Sequence, residues 1–136
     1  LETMNAVHSA GEAYTVAGTQ DKYDKKTAIT YTWDDSIIDE VVHPVVITHP
    51  KTGRKALYVN NMFTLRFEGM SKAESQPLLD YLYAHATKPG FCCRFRWSPN
   101  AIAFWDNRAV QPYAVDDYQD FERLMYRVTI NGDKPA

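Results

Sequence analysis

Trp105-Asp-Asn-Arg-Ala-Val-Gln-Pro-Tyr-Ala-Val-Asp-Asp-Tyr118, followed by Glu122-Arg-Leu-Met-Tyr-Arg-Val-Thr-Ile130, is the stretch whose reading decides the fold. By pattern alone it predicts two strands joined by a tight acidic turn. The second strand alternates: Leu124, Tyr126, Val128 and Ile130 share one face, and Arg123, Met125, Arg127 and Thr129 the other. Arginines four residues apart on one strand face stand roughly 13–14 Å apart. A turn about Asp117 and Tyr118 sets position 112 opposite position 123, so both can face one pocket. That layout suits a small anion held beside a strand.

Outward from this stretch the order is mostly strand with one principal helix. Val45–Thr48 is β-branched, His49-Pro-Lys-Thr-Gly-Arg54 supplies turn residues, and Ala56–Val59 returns as a partner strand. Phe63–Phe67 alternates Phe, Leu, Phe against Thr and Arg, as a half-buried strand does. Ser71-Lys-Ala-Glu74 has the form of a capping box, but Pro77 would then fall at the sixth helical position. The expectation is therefore a kink, or a true start nearer Ala73–Ser75, with a helix over 73–86. Its apolar stripe is Leu78, Leu79, Leu82, Tyr83 and Ala86, and Lys88-Pro-Gly90 ends it. Phe91–Trp97 and Ala101–Trp105 read as further strands about a turn at Ser98-Pro-Asn100. Leu1–Ser9 has helical spacing, and residues 11–40 form a long polar segment with no sustained period, expected to be a loop ordered only in part.

Trp-Asp-Asn-Arg, a residue pair, Gln111, one position, Tyr-Ala, then Asp-Tyr resembles the C-terminal signature of the taurine dioxygenase family. The likeness continues through His43-Pro-Val-Val-Ile-Thr-His-Pro-Lys-Thr-Gly-Arg-Lys-Ala-Leu-Tyr-Val-Asn60, Tyr83-Ala-His-Ala-Thr-Lys-Pro89, Phe95-Arg-Trp97 and Gly132-Asp-Lys-Pro135. Several motifs in order make it specific. It implies the C-terminal part of a double-stranded β-helix, or jelly roll, from an enzyme that uses iron(II) and 2-oxoglutarate. Half of such a fold leaves strand edges open. A missing N-terminal segment, a second copy or exchanged strands would complete it, so a homo-oligomer is one expectation. The length of 136 residues, about half that of family members, and a start at Leu1 fit a single domain that is a piece of a longer one.

The resemblance also assigns residues. Arg123 matches the arginine that binds the distal carboxylate of 2-oxoglutarate, which a planar guanidinium grips in bidentate fashion. Arg127 matches the arginine that holds a substrate sulfonate, and Phe63 an aromatic that packs on that substrate; the other reading of this pair is a surface arginine and a core phenylalanine. The family's distal iron histidine falls at Pro112, which has no lone pair for a metal. The family's His-x-Asp motif occurs nowhere in the chain. No metal is therefore expected on this chain alone, and no catalytic residue is assigned. His8, His43, His49 and His85 match structural positions instead, and Asp106, Asn107 and Arg108 a turn-tying role.

Composition narrows the remaining classes. A net charge of −2 without a basic run argues against nucleic acid. No apolar run approaches the ~20 residues that span a membrane, and Leu1–Ala10 lacks the form of a signal peptide. Adjacent Cys92 and Cys93 read as two reduced thiols, which fits the cytoplasm. Two functions stay open. One is a piece or degenerate relative of a dioxygenase acting on a small sulfonate-like anion. The other is a non-catalytic anion-binding or assembly protein that kept the arginines.

Overall fold

The computed structural model describes residues 1–14, 35–115 and 121–135. Strand β1 (Asn5–His8) is the centre of a three-stranded antiparallel sheet, flanked by β2 (Val41–Pro44) and β5 (Thr64–Phe67). Strands β3 (Val46–Thr48) and β4 (Lys55–Leu57) form a second antiparallel pair. Val45 connects the two sheets. Its N–H donates to Met4 O at 2.9 Å, and its carbonyl accepts Tyr58 N–H at 2.8 Å.

The opening strand corrects the expected helix over Leu1–Ser9. Ala6, Val7 and His8 are all buried, because β1 is bonded on both edges and covered on both faces. Such a strand shows no polar alternation, and over so short a run its residues can mimic helical spacing. The expected loop over 11–40 is also regular at its ends, with a short helix α1 (Gly11–Tyr14) and a 3-10 turn (Asp35–Ile38). Residues 15–34 of that segment lie outside the described residues.

The β3–β4 hairpin has the expected form. His49 O accepts Gly53 N–H at 2.8 Å, His49 N–H donates to Arg54 O at 2.9 Å, and Gly53 takes φ +67°, a left-handed value that favours glycine. On β5 the pairing slips: Val7 faces Arg66, but His8 faces Thr64. Leu65 is the extra residue of a bulge, so Thr64, not Leu65, lies buried opposite His8.

Helix α2 runs Lys72–Ala86, so the shifted start is not what the chain adopts. Ser71 caps it with a complete capping box, and Pro77 stands inside the helix. Ser75 supports the first turn. Its hydroxyl donates to Ser71 O at 2.8 Å and accepts Phe67 N–H at 3.0 Å while wholly buried. Leu79 and Leu82 then pack on Ala6, Val45, Val59 and Phe67, and Leu78 and Tyr83 fill the margin. Burying a side chain such as Phe67 contributes about 3 kcal/mol. Burial also pushes the Tyr83 phenol up to about 12.

After Ala86 a 3-10 turn (Pro89–Phe91) ends the regular structure. The strands expected at 91–97, 101–105 and 122–130 carry no ladder among the described residues. Locally the expected alternation survives: Phe95 and Trp97 sit edge to face with centroids 4.9 Å apart, and Asn100 turns the chain at φ 63°. A strand, however, is defined by its partner. Without one, Phe104 and Val128 remain 90% exposed. The turn expected at Asp117 and Tyr118 lies outside the described residues.

Candidate functional site

Pro112, Arg123 and Arg127 lie in the C-terminal arm, the segment after residue 91 that carries no ladder among the described residues, and the Trp105–Arg108 corner organises it. Asp106 Oδ1 accepts Arg108 N–H at 2.9 Å and Arg108 Nε–H at 2.8 Å, closing the corner on itself. Trp105 Nε1–H donates to Asn107 Oδ1 at 2.7 Å. Arg108, through side-chain and backbone hydrogen bonds, and then His49 hold the Asp106 carboxyl well below the usual carboxylate range. In return Asp106 raises the Arg108 guanidinium. These are the turn-tying contacts expected of the motif.

Two longer contacts reach the body of the fold. His49 Nε2 stands 3.0 Å from Asp106 Oδ2, and Gln111 Nε2–H donates to Val59 O at 2.9 Å. Sequence reasoning missed both. Neither residue type nor spacing marks a pair 57 or 52 positions apart.

Pro112 follows Gln111 directly and is exposed. Arg123 and Leu124 are both exposed, so no inward and outward face separates them. Arg127 places its guanidinium carbon 5.9 Å from the Trp105 ring centroid, a cation–π distance that joins the last segment to the corner. Phe63 is half-buried in the turn before β5, 5.9 Å from the Tyr14 ring. Pro112, Arg123 and Arg127 thus all stand exposed, and Phe63 packs beside Tyr14 just before β5.

The four histidines do not converge either. His8 and His43 sit diagonally on one face of the three-stranded sheet, rings 5.5 Å apart, with Tyr58 against both. Burial, with the neighbouring His43, lowers His8 to about 4. Burial and then Lys134 lower His43. His8 Nδ1 meets Thr64 Oγ1 at 3.2 Å, whereas His8 Nε2 and His43 Nδ1 are buried without a hydrogen-bond partner among the described residues. His85 lies on α2 between the rings of Tyr81 and Phe91. No group of three or more His, Cys, Asp or Glu able to hold a metal occurs among the described residues. With proline at 112 and His49 engaged by its own turn, the donors among the described residues do not fit a facial-triad iron. The exposed thiols of Cys92 and Cys93 are free. No helix among the described residues is long and apolar enough to cross a membrane.

Two small antiparallel sheets and one covering helix make this a mostly β chain with one principal helix. The family described as "Taurine catabolism dioxygenase TauD, TfdA family" matches residues 2–129, and this chain belongs to it. An alpha-ketoglutarate-dependent sulfate ester dioxygenase of Pseudomonas putida is 44% identical over 101 residues, 74% of this chain and 33% of that protein. An alkylsulfatase of Acinetobacter baylyi is 42% identical over 94 residues, 69% of this chain and 29% of that protein. The crystal structure of a taurine dioxygenase from Burkholderia xenovorans superposes with a TM-score of 0.56 at 32% identity, covering 79% of this chain and 31% of the other. The chain spans about a third of the length of the curated relatives it matches.

Proposed function

We propose that this chain is the C-terminal part of a double-stranded β-helix in an iron(II)- and 2-oxoglutarate-dependent dioxygenase. The whole enzyme would act on a small anion of the sulfonate or sulfate-ester kind in the cytoplasm. The observation that carries this reading is the family match over residues 2–129. It agrees with an apolar arm whose alternating side chains are exposed for want of a ladder partner. The relatives named for sulfate-ester and taurine oxidation supply the substrate class. The remaining segment of such a domain, or a second copy of this chain, would pair with the arm and bury it.

In that completed site the chain's own residues bind and orient. Arg123 would grip the distal carboxylate of 2-oxoglutarate through paired N–H donors. Arg127 would leave the Trp105 ring for the substrate's sulfur oxyanion, and Phe63 would pack on its carbon skeleton. Pro112 contributes no metal ligand. One specific observation, that proline, favours a second reading: a non-catalytic anion-binding or assembly protein that retains the arginines.

The two readings separate on succinate release with iron(II) and 2-oxoglutarate, measured beside calorimetric titration of 2-oxoglutarate without metal. Both are performed on this chain alone and on Pro112→His supplied with an N-terminal half bearing His-x-Asp. Turnover only in the completed Pro112→His protein supports the first reading. Metal-free binding without turnover in either supports the second. Turnover by this chain alone would show that a metal site forms without position 112.

A further inference from the structure

The corner that precedes position 112 has local bonds and long ones, and the two kinds do different work. The bonds between Asp106 and Arg108 span two residues and fix the shape of the corner. They cannot fix its place, since both partners move together. Place requires a contact with the body of the fold, and Asp106 has one in His49.

The imidazole of His49 is itself held. Its Nδ1 lies 3.2 Å from Lys51 N and 3.3 Å from Thr52 N, both N–H donors, so Nδ1 is the bare acceptor nitrogen. The ring proton of the neutral imidazole therefore sits on Nε2 and is donated to Asp106 Oδ2 at 3.0 Å. The backbone of His49 is pinned as well, its carbonyl to Gly53 N–H and its N–H to Arg54 O. The ring is largely covered, with 14% of its side chain exposed, so water competes weakly for the contact. Four residues beyond Asp106 comes Val110, whose N–H bonds Asp106 O at 3.0 Å. Gln111 then ties down the other end on Val59 O, and residue 112 follows.

We infer that His49 is a positioning residue for position 112. It reads the β3–β4 turn through one ring nitrogen and hands that position to the Asp106 corner through the other. This rests on the proposed function only in identifying position 112 with the metal-ligand position of the family.

The two ring nitrogens can be separated by substitution. In His49→Asn a carbonyl oxygen takes the place of Nδ1 and can accept the turn amides, but nothing reaches Asp106. In His49→Gln the longer amide can donate to Asp106. Amide hydrogen exchange of Arg108, Ala109 and Val110 is followed in the unaltered chain and both variants, with β1, α2 and the turn amide of Gly53 as internal references. His49→Asn is expected to accelerate the three corner amides by about tenfold while the references stay within about twofold, and His49→Gln to stay within about threefold of the parent, as local opening predicts. The place of residue 112 is read from spin labels at Pro112→Cys and Tyr81→Cys in a Cys92→Ser, Cys93→Ser background. Their distance distribution should broaden with His49→Asn and stay narrow with His49→Gln. Corner amides unchanged by His49→Asn, or an acceleration shared equally by β1 and α2, overturns the inference; the first makes the contact idle and the second makes it a general stability term. None of these measurements involves metal or oxoacid, so they stand apart from the turnover test of the proposed function.

Discussion

His49 Nε2 and Asp106 Oδ2 meet at 3.0 Å across 57 residues of chain, joining the β3–β4 turn to the corner of the C-terminal arm. The arm has no ladder to locate it among the described residues, so side-chain contacts of this kind set its course. Asp106 is the acceptor on which Arg108 and His49 converge, and its ionisation should report that convergence.

The carboxyl of Asp106 is lowered first by the Arg108 side chain, then by the Arg108 backbone N–H, then by His49. A lowered carboxyl stabilises the docked arm fully above its unfolded value of 3.8, and the contribution fades as pH falls from there through the folded value. Carbon-13 titration of the carboxyl should therefore show Asp106 still ionised at pH 3.8. Arg108→Leu should return it toward the ordinary range by more than His49→Ala does. The reverse order would contradict the assignment of Arg108 as the main cause.

His8 gives the chain a second, separate pH dependence. Its folded value of about 4 lies below the ordinary imidazole value of 6.5, so the unfolded chain takes up a proton before the folded one. Stability should be greatest above pH 6.5 and decline as pH falls from 6.5 to about 4, by at most about 3 kcal/mol if solvent screening is neglected. The urea midpoint measured across that window checks this. His8→Leu should flatten the profile, although it leaves Thr64 Oγ1 without its 3.2 Å ring partner and lowers the plateau. An equally steep profile in His8→Leu would assign the titration to another group, with His43 the first to test.

Pro77 stands at the sixth position of α2, where the helical pattern would pair an N–H with the Ala73 carbonyl. Pro77→Ala restores that donor and removes the ring from the turn before it. It should stabilise the chain by about 1–3 kcal/mol in urea unfolding, the upper figure being the usual cost of an interior proline. No gain would mean that the first turn, held by Ser71 and Ser75, already absorbs the defect.

Ser75 makes the opposite case. Its hydroxyl links the carbonyl of Ser71 to the N–H of Phe67 at the junction of α2 and β5, the Phe67 contact being buried. Ser75→Ala leaves the Phe67 N–H unpaired, at about 1–3 kcal/mol, with little change in volume. Equilibrium unfolding should show that loss, and exchange of the Phe67 amide should rise more than that of Leu79. A neutral substitution would mean that another acceptor replaces the hydroxyl.

What the sequence by itself determined is what short-range chemistry dictates. The His49–Arg54 turn is legible because Gly53 accepts a left-handed φ, and the Ser71–Glu74 capping box is legible as a string. Even so, Pro77 moved the expected helix start to Ala73–Ser75, and the chain keeps the start at Lys72. The family was legible too, since Trp105–Arg108, His43–Asn60 and Gly132–Pro135 carry it as residue strings. Tertiary structure decided the rest. Within Leu1–Ser9, Asn5–His8 became a strand because β2 and β5 pair with both its edges, which four apolar positions could not announce. Thr64 rather than Leu65 faces His8 because a bulge shifts β5 by one residue. Residues 122–130 alternate as a strand would, yet no ladder forms on them among the described residues, because backbone pairing belongs to two segments at once. The placing of Asp106 by His49 is of the same kind: each residue's chemistry is local, and their meeting is a property of the fold.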